Sequence, residues 1–166
     1  MKKGFIVLVT ILGVFNFCAA QKKAASPAET ATGTINGATI TIKYGSPSVK
    51  GREIWGGLVP FDQVWRAGAN DATTFETDKE ITIEGTKLPA GTYSLFVIPN
   101  QKECTIIFNK QAKQWGAYSY KEKEDQLRVK VAAVAKKDST EKLLYTISTY
   151  AVTLSWANWD IVLKVK

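Results

Sequence analysis

The chain has 166 residues, with 22 Lys plus Arg, 15 Asp plus Glu and no His, for a formal net charge of +7. Without histidine there can be no Ser-His-Asp or Cys-His nucleophilic system and no His-based zinc site. Basic and acidic residues interleave, as in KEKEDQLRVK from Lys121 to Lys130; this reads as a solvated surface, not the one-sided footprint of a nucleic-acid binder.

The chain opens with MKKGFIVLVTILGVFNFCAAQ. Lys2 and Lys3 form a charged start, an apolar run follows to about Phe17, and small residues precede Gln21, the three parts of a secretory signal peptide over residues 1–20. The apolar run is short for a membrane span. Lipidation at Cys18 is the rival reading, but Asn16 and Phe17 stand where that signal prefers small residues. Cleavage after Ala20 removes two lysines and no acid, leaving 146 residues with a net charge of +5, enough for one domain with a sizeable core. The product is periplasmic or secreted. Only Cys104 survives cleavage, so no internal disulfide forms. In ECTIIF, Cys104 shares a strand face with Ile106 and Phe108 and reads as a buried, inert thiol.

Residues 21–33, polar and small with Pro27, read as a flexible tether, and residues 34–166 as the folded domain. In ATITIKY, Ile40, Ile42 and Tyr44 alternate with polar residues, the mark of a half-buried strand. YGSPSVKGREIWGGLVPFD is punctuated by Gly and Pro and reads as loop. TTFETD and ITIEG follow as strands. The run from Thr92 to Ile98 is apolar on both faces at its end and is placed centrally. ECTIIFN pairs with it through Asn100 and Gln101 as a hairpin. DQLRVKVAAV puts Leu127, Val129 and Val131 on one face. KLLYTIS, AVTLSW and WDIVLKVK close the chain, the last with Trp159, Ile161, Leu163 and Val165 on one face. No stretch holds a 3.6-residue period over three turns. The expectation is a single all-β domain: an antiparallel, jelly-roll-like β-sandwich of eight or nine strands.

Two clusters are candidate binding residues. Arg52 in KGREIWGG and Arg66 in VWRAGANDATT each have a Trp close by. A guanidinium beside aromatic surface presents a planar fork to a carboxylate, phosphate or sugar hydroxyl, and Trp65 can stack on a sugar or on the guanidinium itself. Asn70 both donates and accepts, and Gly68 permits close backbone approach. The plainer reading pairs Arg66 with Asp62 or Asp71, buries Trp65 and makes Gly-Ala-Asn a turn. In KQWGAYSY, Trp115, Tyr118 and Tyr120 surround Gly116 as a stacking platform, or as an aromatic cluster under a loop. The acids form no motif for glycosidase chemistry or a calcium loop, and no cofactor or metal is implied.

The runs YGSPSVKGREIWGGLVPFDQVWRAGANDATTFET, LPAGTYSLFVIP and QWGAYSY resemble secreted bacterial proteins grouped as domain of unknown function family 2911. The pattern falls on Tyr44 with Pro47, Gly51 with Arg52, Trp65 to Asn70 and Leu88 to Phe96, and covers about Thr39 to Lys166. The resemblance implies an exported single-domain β protein and marks the stretch from Val64 to Thr74 as a signature without giving its role. The leading expectation is a non-catalytic envelope module binding a polar or anionic ligand, such as a glycan or carboxylate, through Tyr44, Arg52, Trp65, Arg66, Asn70, Trp115, Tyr118 and Tyr120. The alternatives are a carboxylate-dependent hydrolase of envelope carbohydrate and a protein-interaction module without a small-molecule site. Convergence of Tyr44, Arg52, Arg66 and Asn70 on one concavity would favour binding.

Overall fold

The computed structural model describes residues 25–166, so the signal-peptide reading of residues 1–20 and the start of the tether lie outside the described residues. Ten strands follow in chain order: β1 (Ala28–Ile35), β2 (Ala38–Gly45), β3 (Thr73–Thr77), β4 (Ile81–Ile83), β5 (Thr86–Leu88), β6 (Gly91–Ile98), β7 (Cys104–Asn109), β8 (Asp125–Val131), β9 (Ala133–Ile147) and β10 (Ala151–Lys164). The chain is all-β, as expected. Its main sheet is antiparallel with the order β1-β2-β3-β6-β7-β8, while β9-β10 and β4-β5 form separate hairpins. Neighbours in the main sheet are consecutive in sequence except between β3 and β6, where the β4-β5 hairpin intervenes, so the sheet is a meander.

The tether expected over residues 21–33 gives way from Ala28 onward. β1 pairs with β2 along its whole length, from Ala28 opposite Gly45 to Ile35 opposite Ala38. Asn36 and Gly37, both at positive φ (49° and 80°), make the two-residue turn, the backbone that suits a twisted hairpin. The exposed side chains of Ala28 to Thr30 hid a strand whose partners are backbone groups.

Alternation sets the core. On β2, Ala38, Ile40, Ile42 and Tyr44 are buried; on β6, Tyr93, Leu95 and Val97; on β7, Cys104, Ile106 and Phe108. These side chains meet Leu143 and Tyr145 of β9 and Leu154, Trp156, Ile161 and Leu163 of β10 in one apolar cluster. The β9-β10 hairpin thus forms the second layer. β10 joins two segments that read as separate strands, and the reason lies at Ala157. Trp156 and Ala157 are both buried, Ala157 has φ 49°, and the pairing register shifts on either side of it. This bulge reverses the parity of the alternation, so Trp159, Ile161 and Leu163 continue inward. Burial raises the pKa of the Cys104 thiol, which suits an inert core residue.

β6 and β7 also carry Phe96 and Ile107 on the outer face. There a smaller cluster forms with Ala72, covered by Val64, Ile98, Ala117 and Tyr120. Two loops, around residues 62–72 and 110–121, therefore lie across the outside of the sheet.

Ionisation should leave stability flat near neutrality. Hydrogen bonding from the Thr39 backbone N–H, at 2.7 Å, lowers the Asp78 pKa. Burial, the largest influence, opposes ionisation of Asp160, but the Lys136 ammonium at 2.8 Å and hydrogen bonding with Ser155 together outweigh it and the pKa falls. Such depressed carboxyls stabilise the fold above the unfolded value of about 3.9, and the contribution is lost as pH falls through the lower folded value. Burial raises the hydroxyls of Tyr44, Tyr93, Tyr120 and Tyr145; their contribution is complete below an unfolded value of about 10 and is lost as pH rises through the folded one. With no histidine, the Tm followed by circular dichroism should be level from about pH 5 to 8 and fall in acid. A marked step inside that window would contradict this account.

Candidate functional site

The stretch from Val64 to Thr74 runs from the core to the outer face. Trp65 exchanges backbone hydrogen bonds with Val97 of β6, both 2.8 Å, and its ring enters the core. The ring stacks on Trp156 (5.8 Å between centroids, 17°) and meets Trp55 edge-on at 5.7 Å. The chain then kinks at Ala67, φ 53°. The Ala67 carbonyl accepts from the Tyr145 hydroxyl at 2.8 Å and the Thr73 hydroxyl at 3.0 Å. Gly68 and Ala69 cross Gly45 backbone to backbone, with Ala69 N–H donating to the Gly45 carbonyl at 3.2 Å. Asn70, φ 65°, donates through its amide to the Ser26 carbonyl at 3.3 Å. Asp71 bridges to Trp115, and Ala72 N–H donates to the Gln114 carbonyl at 3.0 Å.

Those last contacts bring the two candidate clusters together. A Cβ built on Gly116 would lie 3.0 Å from the Tyr118 ring and 3.9 Å from Arg66 Cδ, so Arg66 and Tyr118 flank the Gly116 turn (φ 61°). Arg66 forms no ion pair among the described residues, and its Nε is shielded from solvent without an acceptor. Trp115 and Tyr118 are 62% and 86% exposed. Tyr120 differs. Its half-buried ring packs edge-on against Phe96 at 5.1 Å, and its hydroxyl donates to Asp125 Oδ2 at 2.7 Å. Burial and then the Asp125 carboxylate push its pKa well up. Tyr120 anchors the loop, while Trp115 and Tyr118 offer free aromatic surface.

Beside this face lies a hollow of about 330 Å³ lined by Glu29, Thr30, Lys43, Tyr44, Asn70, Asp71 and Thr74 among others. Thr30, Lys43 and Thr74 are directly opposed across β1, β2 and β3 and make its floor. A second hollow shares Asp71, Ala72 and Thr74 and continues to Ala112, Lys113 and Gln114. Together they make a trough that ends beside Trp115. Tyr44 contributes only a wall. Its ring packs edge-on against Tyr145 at 4.8 Å, and its hydroxyl oxygen accepts from Tyr145 N–H at 3.4 Å.

Arg52 stands apart. Its Nε donates to the Val49 carbonyl at 3.0 Å and Nη2 to the Ser48 carbonyl at 2.5 Å, and it lines a different hollow with Trp55, Phe61 and Trp159. Tyr44, Arg52, Arg66 and Asn70 therefore do not share one concavity. The structure brings Arg66 to the Gly116 turn beside Tyr118, joins Asn70 and Tyr44 at the neighbouring trough, and sends Trp65 to the core.

A family model described as Protein of unknown function (DUF2911) matches residues 26–165. The chain belongs to this family. A search of curated proteins finds no match, and neither does a search of solved structures. The DUF2911 match begins at Ser26, whose carbonyl holds Asn70, and takes in all ten strands.

Sequence reasoning passed over the residues that hold the DUF2911 signature in shape. Gly45, Thr73 and Tyr145 fix the path of Ala67–Ala69, and Gln114, through Nε2, bonds Ser94 Oγ at 2.8 Å and the Gln111 carbonyl at 2.9 Å beneath the 110–121 loop. The paired threonines were a usable signal for Thr73; Tyr145, 78 residues from Ala67, left none. Among the described residues, no group of three or more Cys, Asp or Glu is placed to hold a metal, and no helix is long and apolar enough to cross a membrane.

Proposed function

We propose that the protein is an exported, non-catalytic binding module of the cell envelope that takes a polar or anionic ligand, a glycan or carboxylate, at the face built by Arg66, Trp115 and Tyr118. The observation that carries this is Arg66 itself. Among the described residues it has no carboxylate partner, its Nε is buried without an acceptor, and it lies at the Gly116 turn with the Tyr118 ring, where Tyr118 and the chain neighbour Trp115 are exposed. An uncompensated guanidinium of this kind is costly unless something completes its hydrogen bonds. A carboxylate or sugar hydroxyl does so, and Trp115 and Tyr118 supply stacking surface. The charged start and apolar run of residues 1–20 support export.

The test is a thermal-shift screen with sugars, organic acids and phosphates on the wild type and on Arg66→Ala. A ligand should raise the wild-type Tm by mass action and leave the variant where it was. No hit on the wild type, with the variant failing to fold, would mean that Arg66 braces the loop. Hydrolysis draws its support from Glu29 and Asp71, both in the wall of the trough hollow; release of reducing ends from an envelope glycan, abolished in Glu29→Gln and in Asp71→Asn, would replace the binding reading.

A further inference from the structure

Arg52 is the signature arginine that the Arg66 face does not use. Its hollow of about 380 Å³ lies against β10 and the loop after β2, and shares no lining residue with the trough or the Arg66 face. Volume does not single it out, since the neighbouring hollows measure about 330 Å³. Its lining does.

Three things converge there. First, two backbone carbonyls hold the guanidinium, at Val49 and Ser48. That uses two of its five N–H donors and fixes the rest without neutralising the charge. No ion pair among the described residues includes Arg52, although Glu53 is its chain neighbour and lines the same hollow. Second, Trp55, Trp159 and Phe61 form a continuous stack, 4.8 Å and 5.9 Å between successive centroids, so each ring of this wall is held by its neighbour. Third, among the described residues, three of the seven non-glycine residues at positive φ stand in or directly beside the lining: Ala157, Lys50 and Asp62. Backbone strain of this kind persists where surrounding contacts impose it and clusters at binding sites. The bulge at Ala157 is also what brings Asn158 and Trp159 to this wall.

We infer that the Arg52 hollow is a second, independent binding site for a monosaccharide-sized hydroxy-carboxylate, of which a uronic acid is the type. The fixed guanidinium fork receives the carboxylate. Asn158, Ser139 and Gln101 are neutral partners for hydroxyls. Glu53 accepts from hydroxyls and repels a dianion, which disfavours phosphate.

The test is a titration of the full mature protein with D-glucuronate, D-glucose and inorganic phosphate, followed through the assigned indole N–H resonances of its five tryptophans. Glucuronate should shift Trp159 saturably, independently of any response at Trp115, with glucose and phosphate shifting Trp159 more weakly. Arg52→Gln should raise the Kd by about tenfold or more, and Arg66→Gln should leave it unchanged. Arg52 is exposed, so unchanged melting of the variant checks that its fold is intact. The inference is overturned by the absence of a saturable shift at Trp159, by glucose or phosphate matching glucuronate there, by insensitivity of that shift to Arg52→Gln, or by a response confined to Trp115 that Arg66→Gln removes. Because the two sites share no residue, failure here leaves the Arg66 reading standing, and the reverse also holds.

Discussion

Gly45→Ala should cost about 3 kcal/mol or more, a large part of the stability of a domain this size. An alanine Cβ at this position would lie 2.2 Å from the Ala69 carbonyl oxygen and 2.9 Å from its carbon. Both are backbone atoms, so no rotamer change relieves the clash. The segment at Ala69 cannot easily retreat. Its N–H donates to Gly45 itself, and two residues earlier the Ala67 carbonyl is held by Tyr145 and Thr73. Urea denaturation should show a lower midpoint with the slope unchanged, the sign of lost native stability and not of an altered unfolded state. Gly51→Ala is the control. Gly51 has φ 67° and nothing within 4 Å of its Cβ position, so alanine meets only left-handed strain, about 1–2 kcal/mol. If both variants lost the same amount, the backbone crossing at Gly45 would not be the determining contact.

That crossing also explains which parts of the protein were legible in its sequence. Strand faces follow from period-two alternation, a local property, so the inward sides of β2, β7 and β8 could be read directly, whereas β6, apolar on both faces at its end, could be placed centrally but not oriented. β1 could not be read this way, because residues 28–34 are mostly exposed and their reason for being extended is pairing with β2. The Asn36-Gly37 turn was the available signal, and it went unused among polar residues. β9 resisted for a related reason: Ala133 to Thr140 alternates no apolar face, and its pairing with β10 is broken by the Ala157 bulge.

The candidate site was legible in kind and not in arrangement. Residue chemistry picked out Arg66, Trp115 and Tyr118, which the structure brings together around Gly116. It also grouped Arg52 with Arg66, since both stand near tryptophans in one glycine-rich stretch. Loop paths carry no periodicity, however. Trp65 faces the core while Arg66, one residue on, faces the outer loop, and the Gly51-to-Phe61 segment folds back on β10 through the Trp55-Trp159 stack. Separation of the two arginines is decided by long-range packing.

Trp156→Ala should rank with Gly45→Ala, at about 3–5 kcal/mol. Trp156 is 1% exposed and sits where the two layers meet, stacked on Trp65 at 5.8 Å and edge-on to Trp55 at 6.0 Å. Its carbonyl accepts from the Trp55 indole N–H at 3.3 Å. Removing the ring leaves a cavity among other rings, whose positions are fixed by strand pairing at Trp65 and by stacking on Trp159, so the gap closes poorly. The Trp156 indole Nε1 has no hydrogen-bond partner in its buried surroundings, which separates two contributions. Trp156→Phe keeps much of the packing and removes the orphaned donor, a group that costs about 1–3 kcal/mol when buried alone. The phenylalanine variant should therefore lose less than half of what the alanine variant loses, measured as the shift in urea midpoint. Equal losses would mean that the indole N–H finds a partner in solution and that this bond, more than ring volume, joins the sheet to the β9-β10 hairpin.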